Sequence, residues 1–228
     1  ASASVPNGYS AYVSAYGYVD ADIDYNTIVM TAGDGNNSLT ALLQASAKNT
    51  AIAYAGNTSA SYAYAYAYYA SASISTNSVV MVAGSGDDTL SLSMLADASI
   101  YAEAAGSAYY ASAGAWYAYA YVYSNNITMT AGAGNDSLSA MLMANAQATG
   151  YAQGGSNASY VYAYAGGGYA SVGYNNLYMN GTDGNDTLTA MMAASAKGSA
   201  VAEQAGPSAS YVYAYAYYAY ASVDYNNV

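Results

Sequence analysis

Six of the thirteen acidic residues, Asp34, Asp87, Asp88, Asp136, Asp183 and Asp186, fall inside four short glycine-containing turns, together with Asn36, Asn37, Asn135 and Asn185. These are hard oxygen donors. Ca²⁺ takes about six to eight oxygens at about 2.3–2.6 Å, so carboxylates, Asn side chains and carbonyls freed by glycine are the ligand types it needs. The alternative is a set of Asx and Gly turns with no metal. Other chemistries are excluded by what is missing. The chain has no His and no Cys, hence no imidazole base, no thiolate nucleophile and no nitrogen or sulfur metal site. With Lys+Arg 2 against Asp+Glu 13 and a net charge of −11, phosphate neutralisation is out of reach, so no nucleic-acid partner is expected. Acid-pair catalysis is the one enzymatic route left. The acids are better explained by turns and edges, so no enzyme is expected.

The turns must be positioned by something regular, and the chain is repetitive. TAGDGNNSLTALL from Thr31, VAGSGDDTLSLSML from Val82, TAGAGNDSLSAMLM from Thr130 and NGTDGNDTLTAMM from Asn180 align, with Gly35, Gly86, Gly134 and Gly184 at intervals of 51, 48 and 50 residues. Between them run five Tyr-rich A blocks, the first diverged and starting near Tyr9, each ending at an Asn-containing position. Four B blocks begin at the turns. Both block types have period 2, the strand signature. Leu39, Ala41, Leu43, Ala45 and Ala47 match Leu138, Ala140, Leu142, Ala144 and Ala146, and also Leu188, Ala190, Met192, Ala194 and Ala196. A helix is the competing reading of the Ala-rich B blocks, but Tyr/Ala alternation and Gly/Asn punctuation favour strands. At Tyr217-Tyr218 the alternation slips by one residue, which predicts a bulge or bend.

Stacked repeats of this kind predict one all-β domain over 1–228, a parallel β-solenoid of about four and a half wide rungs. Each rung has one A and one B strand, with turns near 32–39, 83–90, 131–138 and 181–188. Although 55% of residues are hydrophobic, 32 are Tyr and most of the remainder are Ala. The core should therefore be Ala-rich and the two sheets closer than the usual ~10 Å. A transmembrane barrel would need strands of about 9–11 residues with girdled aromatics, and no run of about 20 apolar residues suits a spanning helix. Without a basic, apolar leader at Ala1, the sequence reads as a mature chain whose export signal is gone.

Gly181-Thr182-Asp183-Gly184-Asn185-Asp186-Thr187-Leu188 resembles the glycine- and aspartate-rich nonapeptide of the repeats-in-toxin (RTX) family. The resemblance implies Ca²⁺ held between rungs of a parallel β-roll, with the acidic ligand position on Asp88, Asp136 and Asp186 and an inward aliphatic at Leu39, Leu90, Leu138 and Leu188. The first turn departs, with Asn37 where the family has Asp. The family also repeats its motif every nine residues on both edges, whereas here it occurs once per rung on one edge.

Aligning the A blocks on their Asn positions puts Asp24 opposite Asp224, while internal blocks carry Ser75, Tyr123 and Gly173 there; Asp20 and Asp22 extend the first row. Lys48 and Lys197 likewise mark the first and last B strands, where inner ones have Ser99 and Gln147. Charged edge strands guard against uncontrolled pairing. Matched ends also suit head-to-tail stacking that waits for Ca²⁺ or acid to neutralise the row. Tyr62, Tyr64, Tyr66, Tyr68, Tyr160, Tyr162, Tyr164, Tyr211, Tyr213, Tyr215 and Tyr217 should form an outward ladder, serving cross-strand stacking or an interaction role. The expectation is a secreted, extracellular structural protein that is its own partner, assembling end to end into a Ca²⁺-stabilised filament or biofilm-matrix fibre. The alternative is a monomeric module binding ice or polysaccharide through the flat Tyr face.

Overall fold

The computed structural model describes residues 2–5, 12–56, 62–206 and 210–228, so the start of the first A block near Tyr9 lies outside the described residues. After β1 (Ser2–Val5), the chain repeats a three-strand unit. The first unit is β2 (Tyr12–Asp24), β3 (Thr27–Thr31) and β4 (Ser38–Ala55). The second is β5 (Tyr62–Ser75), β6 (Ser78–Val82) and β7 (Thr89–Gly106), and the third is β8 (Tyr110–Tyr123), β9 (Asn126–Thr130) and β10 (Ser137–Gly154). In the fourth the Tyr strand is split into β11 (Tyr160–Ala165) and β12 (Gly168–Gly173), before β13 (Asn176–Asn180) and β14 (Thr187–Gln204). A fifth Tyr strand, β15 (Tyr211–Ala216) and β16 (Tyr220–Asp224), completes the described residues' strands.

Every strand pairs in parallel with its equivalents one rung away, giving a long sheet, a Tyr sheet and a short corner sheet. The chain is an all-β parallel β-solenoid. The register follows the sequence columns: Leu39 pairs with Leu90, Leu90 with Leu138, and Leu138 with Leu188. The phase slip is a bulge. Between β2 and β5 the register shifts after Gly17, leaving Tyr68 unpaired, and the same level separates β11 from β12 and β15 from β16.

One expectation needs correction. A rung is not one A and one B strand: around the Asn position that ends each A block the chain bends at a corner and forms a separate five-residue strand before the turn, so each rung has three strands rather than two. The bend is made by Tyr25, Thr76, Ser124, Tyr174 and Tyr225, all with φ of 54–58°. A non-glycine residue is uncommon in this left-handed region.

The core has two parts. Along most of the long sheet it is alanine on both sides: Ala96, Ala98, Ala102 and Ala104 are fully buried, as are Ala63, Ala65, Ala67 and Ala70 of the facing strand. Facing Cα atoms there come within 8 Å, as small side chains require. Near the Gly/Asp turn the core thickens, with Leu90, Met94, Leu138 and Leu142 buried alongside Val79, Met81, Ile127 and Met129 of the corner sheet.

Candidate functional site: stacked side-chain columns

Each corner-sheet strand leads into a turn whose apex glycine has positive φ: Gly35 at 108°, Gly86 at 133° and Gly184 at 137°. Glycine is required twice over, because a Cβ on Gly86 would also strike the carbonyl of Gly35 on the preceding rung. Turns are tied to each other by backbone bonds such as Gly86 N to Ala133 O at 2.8 Å.

The ten turn residues expected to bind metal are all gathered on one edge, but the structure sorts them by depth. Asn36, Asp87, Asn135 and Asn185 form an exposed column. Here the backbone N–H of each rung donates to the preceding rung's side-chain oxygen: Asp87 to Asn36 at 2.9 Å, Asn135 to Asp87 at 2.9 Å, Asn185 to Asn135 at 3.1 Å. Asp34 accepts similarly from Ser85 N at 3.0 Å, and Asp183 is exposed at the last turn. Asn37, Asp88, Asp136 and Asp186 form an inner column of opposite sense. Asn37 N donates to Asp88 Oδ1 at 2.8 Å, Asp88 N to Asp136 Oδ1 at 2.9 Å, and Asp136 N to Asp186 Oδ1 at 3.1 Å.

The inner column carries an unresolved demand. Asp88 is 1% exposed and Asp136 2%, and the Oδ2 atom of each has no hydrogen-bond partner. Rungs are ~4.8 Å apart, so neighbouring acids of the column face each other, and the backbone N–H groups between them serve Oδ1 and leave Oδ2 of Asp88 and Asp136 without a donor. A cation bridging Asp88 to Asp136 and Asp136 to Asp186 suits these oxygens, supplemented by turn carbonyls. Among the described residues no three acidic side chains converge on one point, so each bridge would rest on two carboxylates. At Asn37 the problem is absent, because its Nδ2 donates to Asp88 Oδ1 at 3.0 Å. The inward leucines are buried in the middle rungs, while Leu188, on the last, is half exposed.

A second column went unassigned in the sequence, where its members served only as alignment marks. Asn26, Asn77, Asn125, Asn175 and Asn226 follow the corner residues and stack. The N–H and Nδ2 of each donate to Oδ1 of the next: Asn77 to Asn125 at 3.0 and 3.0 Å, Asn125 to Asn175 at 3.0 and 2.9 Å, Asn175 to Asn226 at 3.0 and 2.9 Å. From Asn77 onward each Nδ2 also holds a backbone carbonyl of the preceding rung, Asn125 that of Ile74 at 3.1 Å, whereas Asn26 holds that of Asp24 in its own rung. Asn77, Asn125 and Asn175 are at most 1% exposed. Asn49 is the other buried amide; its Nδ2 donates to Gly17 O at 2.6 Å and Tyr69 O at 2.9 Å, securing the bulge.

The Tyr set forms one outward array as expected. Ring centroids are 5.8–6.1 Å apart along Tyr62, Tyr64, Tyr66 and Tyr68. They lie 5.9–6.0 Å apart along Tyr211, Tyr213, Tyr215 and Tyr217. Across rungs they are 4.6 Å from Tyr110 to Tyr160 and 4.9 Å from Tyr160 to Tyr211. Neighbouring rings cover each other's faces, so the array offers mainly ring edges. Burial and neighbouring phenols push the Tyr162 and Tyr164 hydroxyls up, and Tyr121 up to about 12.

The edge acids and the edge lysines lie on different sheets. Asp20 and Asp22 are exposed and Asp24 half-buried on the outer face of β2, whereas Lys48 and Lys197 are exposed on the long sheet. Asp24 Oδ1 accepts from Ser75 N at 3.1 Å and Ser75 Oγ at 2.7 Å. Partial burial, then Asp20 and Asp24, hold the Asp22 carboxyl above its ordinary range. No protein-family model matches the chain, and no curated protein or solved structure matches it.

Proposed function

We propose that this is a non-catalytic structural protein that stacks end to end into an extracellular fibre, with Ca²⁺ bridging the inner turn column. The observation that carries the assembly reading is the state of the two axial ends. Both are flat, in-register parallel edges with apolar residues in the open: Leu42 64% and Val29 62% exposed at one end, Leu188 50% and Val223 46% at the other. No helix covers either end among the described residues, and open edges are templates for further strands. Solenoids ordinarily place polar caps there. The metal part rests on the orphaned Oδ2 atoms of Asp88 and Asp136 and on the RTX-like turn spelling. Extracellular modules manage with Ca²⁺ affinities of about 10⁻⁴–10⁻³ M, and binding to the folded state alone stabilises it by mass action.

Electron microscopy and light scattering of the 228-residue chain, in Ca²⁺ and in chelator, test both parts. Fibres with Ca²⁺ are expected, with a higher melting temperature than in chelator. Fibres together with an unchanged melting temperature would remove the metal from the reading. Compact monomers in every condition would remove the fibre and favour a surface-binding module.

A further inference from the structure

The geometry points to one junction for this assembly: β15 and β16 of one copy receive β2 of the next, in the register that sets Asn226 against Asn26, Tyr225 against Tyr25 and Asp224 against Asp24. The inference rests on the end-to-end reading and specifies its polarity and register.

Three columns carry it. The first is the Asn ladder, in which every bond runs the same way, from the N–H and Nδ2 of one rung to Oδ1 of the following rung. The first rung therefore presents the Oδ1 of Asn26, and the last presents the N–H and Nδ2 of Asn226. These ends complement one another head to tail, and only that way round.

The second is the corner column. Its left-handed backbone is unfavourable for a bulky side chain, and of the three inner rungs two use Thr76 and Ser124 and the third Tyr174. Yet the first and last rungs use tyrosine, 81% exposed at Tyr25 and 77% at Tyr225. Tyr225 stacks on Tyr174 at 5.0 Å and 25°, with its other face open. Among the described residues no ring stacks on Tyr25. In the proposed register Tyr25 of the next copy extends the Tyr174–Tyr225 stack.

The third column is acidic. Pairing carries the Asp24 position through Ser75, Tyr123 and Gly173 to Asp224. Inside one copy Asp24 faces Ser75, which donates to it. At the junction it faces Asp224 instead, with Asp22 and Asp20 alongside. Their neighbours on β5 are the uncharged Ser71, Ser73 and Ser75, and the buried Asn49 behind the strand is also neutral. β16 brings Asp224 and the Tyr220 phenol, and Lys48 and Lys197 lie on the other broad face. Like charges ~5 Å apart repel, so the junction closes when acid, salt or a divalent cation lowers that repulsion. The carboxyl of Asp22, held above its ordinary range by partial burial and by Asp20 and Asp24, belongs to this row.

The register also fixes what the junction lacks. β1 of the next copy falls over the columns of Val201 to Gln204, but the columns of residues 178–200 receive no strand. A groove one strand deep remains beside Leu177, Met179, Leu188 and Val228, making this contact thinner than any inside the protomer.

The chain has no cysteine, so a Tyr25→Cys/Tyr225→Cys double variant reads the register directly. The corner already accepts Thr76 and Ser124, so small residues fit the fold there. Within one copy the two positions are four rungs apart, about 19 Å, beyond the ~4.4–6.8 Å Cα separation a disulfide spans. Across the junction they are neighbours. Oxidation should give a ladder of linked oligomers on a non-reducing gel, and neither single variant should give dimers. Dimers of Tyr25→Cys alone, or fibres of the double variant without a ladder, would overturn the register while leaving end-to-end assembly standing. Absence of any oligomer by light scattering would overturn both. Asp24→Asn/Asp224→Asn should form fibres at neutral pH, low salt and in chelator, where the unaltered chain stays dispersed. Unchanged salt and pH dependence would overturn the acidic apposition.

Discussion

The corner and the Gly/Asp turn each hold a buried single-file column, and the two differ by one atom per rung. In the corner, Asn125 accepts from Asn77 and donates to Asn175 and to the Ile74 carbonyl, so its amide is closed within the protein. In the turn, Asp88 and Asp136 occupy the same kind of position, with an oxygen where the amide has its NH₂, and that oxygen is orphaned. A buried polar atom without a partner costs about 1–3 kcal/mol, more if charged. The corner is thus self-sufficient, while the turn leaves one oxygen of each inner acid without a partner, the partner that the proposed cation would supply. One edge of the rung is fixed structure and the other is a place where a ligand can act.

The sharpest way to break that contrast is to move the acid into the closed column. Asn125→Asp should remove donors to Asn175 and Ile74 and bury an unpaired charge, lowering the unfolding free energy by roughly 3–5 kcal/mol in urea titration, with no Ca²⁺ response matching that of the turn. The converse change, Asp136→Asn, lets Nδ2 donate to Asp186. In chelator it should raise stability by about 1 kcal/mol, and in Ca²⁺ it should lose part of the metal-dependent shift in melting temperature. If chelator and Ca²⁺ give the same value for both proteins, the turn column does not take a cation. Asn37→Asp extends the acidic column by one rung and deletes the Nδ2 bonds to Asp88 and the Gly33 carbonyl. It should cost about 1 kcal/mol in chelator and enlarge the Ca²⁺ response. Smallest of all is Tyr160→Phe, which keeps the ring stack at 4.6 and 4.9 Å and should change stability by less than about 0.5 kcal/mol. Tyr160→Ala should cost up to about 1 kcal/mol for each stacked pair lost.

The strands and their register were legible because period 2 and identical columns are properties of composition along the chain. Leu39, Leu90, Leu138 and Leu188 could be aligned before any pairing was known. The corner was not legible. Its backbone demands positive φ, and the residues that adopt it, Tyr25, Thr76 and Ser124, lack the Gly or Asn spelling that normally announces the conformation. Thr27–Thr31 and its equivalents therefore had no strand of their own in a rung of one A and one B strand. The Asn column was visible as a recurrence, but its function appears only when rungs are brought within hydrogen-bonding distance. At the turn, the acids were read as chelators; one oxygen of each inner acid in fact accepts a neighbouring rung's N–H, and only the second is left for a metal.

Because all strands run parallel and pair along one axis, the solenoid is mechanically anisotropic. A pull across the broad faces is borne by covalent backbone. A pull along the axis is borne by rows of hydrogen bonds that share the load within each rung contact, while successive contacts lie in series. Such a fibre would fail at its thinnest contact, and would shear into lengths that are whole multiples of one chain.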